Sequence, residues 1–95
     1  MTQDTLAVAT TELAPSLEAV LMVADQPLDA TSLATAVGYP VDEVVAALEA
    51  LTAEYDEQGR GFEPRNVAGG YRYYTREEYA SVVEGFVLEL SLIHI

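Results

Sequence analysis

A chain of 95 residues with 51% hydrophobic residues can bury one compact core but not two. It has no cysteine and a single histidine, which excludes disulfides and thiolate metal sites. Its net charge of -12, from 16 acids against 4 bases, repels phosphate backbones at long range, so nucleic acid is a poor direct ligand for most of its surface.

All four bases are arginine. Arg60, Arg65, Arg72 and Arg76 fall in one 17-residue window that holds a single acid, Glu63, whereas residues 1–59 hold eleven acids and no base. That window is the only surface suited to acidic partners. No apolar run approaches the roughly 18 residues that a membrane span needs. Met1-Thr2-Gln3-Asp4 carries an acid where a secretory leader would carry positive charge, so the expected location is the cytoplasm.

Residues 1–12 are small, polar and aperiodic, and read as a flexible N-terminal tail. Leu13, Leu17, Val20, Leu21 and Ala24 then follow the spacing of an amphipathic helix, with Pro15 in its first turn and Gln26-Pro27 as its stop. Asp29 caps a second, short helix, Leu28 and Leu33 sit at hydrophobic-staple positions, and Gly38 ends it. A third helix runs from about Pro40 to Gln58 on a stripe of Val44, Leu48, Leu51 and Tyr55, with Gly59 as its stop.

The period then changes. Phe62 to Val67 and Tyr71 to Tyr74 read as two strands around Gly69-Gly70, with Pro64 demanding an edge or a bulge. Thr75-Arg76-Glu77-Glu78 reads as a capping box, and the helix after it carries Tyr79, Val82, Val83 and Phe86 on one face. The fold class is α+β, mainly helical: three helices, a β-hairpin wing and a C-terminal helix, which is the winged-helix plan, over residues 13–89.

A winged helix reads DNA with its third helix. Here that helix carries Asp42, Glu43, Glu49, Glu54, Asp56 and Glu57 and no base, so direct sequence-specific DNA binding is not expected. The second candidate is the wing, where Arg65, Arg72 and Arg76 stand among Tyr71, Tyr73 and Tyr74. Arginine and tyrosine are enriched at binding hot spots. The wing is therefore either a docking surface or a hairpin whose alternate tyrosines join the core and whose arginines pair with local acids. The predicted protein-interaction residues are Arg65, Tyr71, Arg72, Tyr73 and Tyr74.

Catalysis finds no residues. His94 is the only histidine, the serines lack a nucleophile-elbow context, and the glycines lack the Gly-Lys-Ser/Thr step of a phosphate loop. No enzyme activity, cofactor or metal is expected. The cluster Glu54, Asp56 and Glu57 reads as a solvated helix end.

The residues Ser16 to Val23, Gln26-Pro27-Leu28, Leu33 to Gly38, Val44 to Leu51, Tyr55, Gly59-Arg60-Gly61-Phe62, Val67 to Arg72 and Thr75-Arg76 together resemble bacterial segregation and condensation protein B. The likeness covers about residues 13–88 and is most specific at the Gly-Gly-Tyr-Arg hairpin. It implies the first of two winged-helix domains and a non-enzymatic subunit that forms a homodimer. It also implies binding to the kleisin subunit, segregation and condensation protein A, and through it to the SMC ATPase in nucleoid-associated chromosome segregation. Two departures stand out. Pro64 replaces an aliphatic residue of the first wing strand, and Leu90 to Ile95 leave the pattern and read as a non-native tail. The alternative is an acidic winged-helix regulator that touches DNA phosphates through Arg60, Arg65, Arg72 and Arg76.

Overall fold

The computed structural model describes residues 13–93, with side chains to Leu90, so the expected tail over 1–12 lies outside the described residues. The elements are α1 (Leu13–Val23), α2 (Ala30–Val37), α3 (Val41–Gln58), β1 (Phe62–Val67), β2 (Gly70–Thr75), a 3-10 turn (Glu77–Tyr79) and α4 (Ala80–Ile93).

The start of α2 and the ends of α2 and α3 are set by the residues expected to set them. The Asp29 carboxylate accepts from the Ser32 amide at 2.7 Å, satisfying one of the free donors of the first turn of α2. Gly38 and Gly59 close α2 and α3 in the left-handed conformation, at φ 76° and 68°. Each is followed by a six-to-one backbone bond, Tyr39 N–H to Ala34 O and Arg60 N–H to Tyr55 O. α1 ends at Val23, three residues before Gln26, because the chain must be extended by Leu28.

The core lies between α1, α2 and α3, with the wing closing one side. Leu17, Leu21, Leu33, Val44, Leu48, Leu51 and Tyr55 are buried. Truncating one of the fully buried leucines to alanine costs about 2–5 kcal/mol through lost transfer energy plus the cavity left behind.

β1 and β2 pair antiparallel from Phe62↔Thr75 to Val67↔Gly70 with no bulge. Arg76 N–H bonds Gly61 O, which makes Pro64↔Tyr73 a pair whose backbone groups face away from each other. The missing N–H of Pro64 therefore costs the ladder nothing, and the proline is simply buried in an edge strand.

Two local expectations are corrected. The turn residues are Ala68 and Gly69, at φ 54° and 86°, not Gly69-Gly70. Gly70 is instead the first residue of β2, and a Cβ there would lie 2.6 Å from Pro27 Cβ. Thr75 does not cap the following helix. It is the last residue of β2, and Arg76 precedes the 3-10 turn without a side-chain cap bond.

Candidate docking surface

Alternation along the hairpin sorts the five predicted interaction residues onto two faces. Tyr71 and Tyr73 share the inner face with Phe62 and pack against the core. The Tyr73 ring meets Phe62 edge-on at 5.0 Å, and Tyr55 lies 5.2 Å from Phe62. The Tyr55 hydroxyl donates to a Glu18 carboxylate oxygen at 2.5 Å and lies 3.0 Å from the Tyr73 hydroxyl. This chain joins α1, α3 and β2 through three side chains. Burial, then the neighbouring Glu18, push the Tyr55 phenol well above its usual range, and burial also raises that of Tyr73.

Arg65, Arg72 and Tyr74 occupy the outer face. Arg65 and Arg72 are direct cross-strand partners. Like charges directly opposite destabilise a strand pair, and among the described residues neither arginine has an ion-pair partner. The Arg65 guanidinium lies over the Tyr74 ring at 5.2 Å, a cation–π contact that uses one face of that ring.

The other arginines do different work. Arg76 is largely buried and joins Asp56 at 2.7 Å, Glu63 at 3.5 Å and the Arg60 carbonyl at 2.6 Å, tying the base of the wing to the end of α3. That cation also offsets the acids crowded at the negative end of the α3 dipole. Arg60 donates to the Gln58 side chain at 2.9 Å. Arg60, Arg65 and Arg72 thus have no ionic partner among the described residues, and of the three only Arg65 and Arg72 stand on the paired strands of the wing.

Two apolar features flank this charge. Between the end of α1 and β2 runs a groove of about 330 Å³ lined by Leu21, Met22, Phe62, Arg72, Tyr73 and Tyr74, among others. Met22 and Val23, off the buried stripe of α1, are 71% and 81% exposed. Beyond the wing, α4 packs chiefly on the 3-10 turn before it and leaves Val82, Phe86, Val87 and Leu88 open. Large apolar side chains left exposed in groups mark interaction surfaces. The face of α3 toward solvent holds no base and six acids, with Asp42, Glu43, Glu49, Glu54, Asp56 and Glu57 all exposed.

Two parts of this surface were invisible in the sequence reading. The Glu18–Tyr55 link of the Glu18–Tyr55–Tyr73 chain spans 37 residues, and no local pattern marks Glu18. Leu28 bridges Tyr71 as a one-residue strand, for which the extended Gln26-Pro27 step was the available signal. Among the described residues no cluster of His, Cys, Asp or Glu suits a metal ion, and no helix is long and apolar enough to cross a membrane.

Residues 15–92 match the family model described as segregation and condensation complex subunit ScpB. The chain belongs to the ScpB family. Segregation and condensation protein B of Moorella thermoacetica is 41% identical over 78 residues, which are 79% of this chain and 38% of that protein. ScpB from Mycobacterium tuberculosis, a crystal structure, superposes with a TM-score of 0.79 at 37% identity, covering 85% of this chain and 51% of that one. A dimer of the ScpB N-terminal domain complexed with a ScpA peptide shares the fold, with a TM-score of 0.69 at 22% identity over 76% of this chain and 84% of that one. The chain thus spans about two fifths to one half of the longer ScpB relatives, and its winged-helix architecture is that of the ScpB N-terminal domain.

Proposed function

We propose that this chain is a docking subunit of a chromosome segregation and condensation complex, which pairs with a second copy of itself and binds a ScpA segment. Through ScpA it would act with the SMC ATPase at the nucleoid, with no catalysis of its own. The observation that carries the reading is the division of labour among the arginines. Arg76 holds the fold together, while Arg65 and Arg72 face each other unneutralised beside an apolar groove in a chain of net charge -12. A pair that costs the hairpin stability is best accounted for by a partner that supplies the missing acids.

The ScpA-peptide complex of a protein with the same fold supports the choice of partner, and the open apolar residues of α4 support self-association. The acidic surface of α3 argues against the DNA regulator, since a helix with six exposed acids meets phosphates with repulsion. Light scattering after size exclusion, on the chain alone and mixed with the ScpA polypeptide of the same organism, tests the proposal. A dimer that gains ScpA mass supports it. A monomer that elutes apart from ScpA contradicts it.

A further inference from the structure

We infer that the free edge of β2 at Tyr73 to Thr75 takes an extended segment of the partner as an added strand, with an apolar residue in the groove beside α1 and an acid against Arg72. This rests on the docking reading above and names where and how the partner binds.

The backbone dictates the edge. Leu28 exchanges both main-chain bonds with Tyr71, at 2.9 and 2.7 Å, on the side of β2 opposite to β1. Main-chain groups alternate in direction along a strand, so those of Tyr73 and Thr75 face the same side. Among the described residues neither amide has a backbone partner there. Leu28 cannot extend its pairing, because two residues earlier the chain turns away through Asp25 and Gln26 into α1. The result is an edge with two outward-facing residues, Tyr73 and Thr75, that its own chain does not cover, flanked by the last turn of α1.

Such an edge is an established template for strand addition, in which main-chain bonds give affinity and alternate pockets give specificity. The pockets follow from the pleat. A guest residue opposite Tyr73 shares its inner face and enters the groove over Leu21, Met22 and Phe62. Its neighbour along the guest strand lies on the outer face, where Arg72 stands exposed and without an ionic partner among the described residues. The guest therefore alternates a branched aliphatic residue with an aspartate or glutamate. Charge complementarity singles out this edge, because acids elsewhere on the chain would repel the same segment.

The test is residue-resolved amide hydrogen exchange on the whole chain, alone and saturated with the ScpA polypeptide of the same organism. Strand addition predicts that the Tyr73 and Thr75 amides slow by roughly tenfold or more in the complex, as paired edge groups do. It also predicts that Arg72→Glu and, separately, Met22→Asp weaken binding by roughly tenfold each, the scale of one hot-spot contact. Both positions are exposed, so neither variant should unfold the chain: Arg72→Glu, now facing Arg65, should melt no lower than the parent, and Met22→Asp only slightly below it. A complex that forms while both amides exchange as in the free chain overturns the site but leaves the docking reading standing. Failure to form any complex overturns both.

Discussion

Tyr55 of α3 donates a hydroxyl hydrogen bond to Glu18 of α1, 37 residues earlier, and its oxygen also lies within hydrogen-bond distance of the Tyr73 hydroxyl of the wing. One side-chain oxygen thus fixes the angle between the helical body and the hairpin that carries the candidate docking residues.

Tyr55→Phe removes both bonds without changing the ring that packs on Phe62. A hydrogen bond to a charged acceptor contributes about 1.5–3 kcal/mol, so urea unfolding should report a loss at or below that range. The two raised phenols also give the pH dependence a sign. Their folded pKa values lie above the ordinary 10.0, so their contribution is fully present below pH 10 and is lost as pH rises beyond it. Unfolding measured from pH 8 to 11 should show stability falling above pH 10 in the parent, and falling less steeply in Tyr55→Phe.

Gly70 is required by space rather than by its dihedral angles. A methyl group there would meet Pro27 at 2.6 Å and push Leu28 away from Tyr71. Gly70→Ala should cost about 1–3 kcal/mol, the usual range for overpacking, with loss of the Leu28 amide protection in hydrogen exchange.

Ala68 sits at φ 54° beside Gly69 in the wing turn. Left-handed backbone costs an alanine about 1–2 kcal/mol, whereas Asn-Gly is the favoured pair for such a turn. Ala68→Asn should therefore raise stability by up to about 1 kcal/mol in thermal unfolding, with no effect on the groove at the other end of β2.

Arg76→Met would strand Asp56 and Glu63 beside a largely buried apolar side chain. The expected loss is about 1–3 kcal/mol, because a partly buried charge loses its partner. Arg76→Lys should recover little of it, since an ammonium cannot reproduce the fork that reaches Asp56, Glu63 and the Arg60 carbonyl together. Paired chemical denaturation of the two variants checks this ordering.

Most of the fold was legible because its signals are local. Asp29, Gly38 and Gly59 end helices by capping chemistry that acts within a few residues, and the stripe of Val44, Leu48, Leu51 and Tyr55 follows from the helical repeat alone. The wing strands were legible for the same reason. What failed was also local but finer: Ala68 took the left-handed position that Gly70 could have filled, because Pro27 from another part of the chain claims the space over Gly70. The candidate surface was half legible. Composition pointed to the arginines and tyrosines of the wing and alternation set Tyr71 and Tyr73 apart from Arg72 and Tyr74, yet only strand register places Arg65 opposite Arg72. Register depends on the Ala68–Gly69 turn, and the free edge of β2 depends on where α1 ends, both of which are tertiary outcomes.

The most direct test of the central claim, that this chain works by docking polypeptides, is fluorescence anisotropy of labelled ScpA polypeptide and of labelled duplex DNA, each titrated with the chain at 50 and 200 mM salt. The account predicts saturable ScpA binding at both salt concentrations, weakened by Arg72→Glu, and no saturable DNA binding at 200 mM. DNA binding tighter than ScpA binding, collapsing steeply between the two salt concentrations as phosphate contacts do, would contradict it.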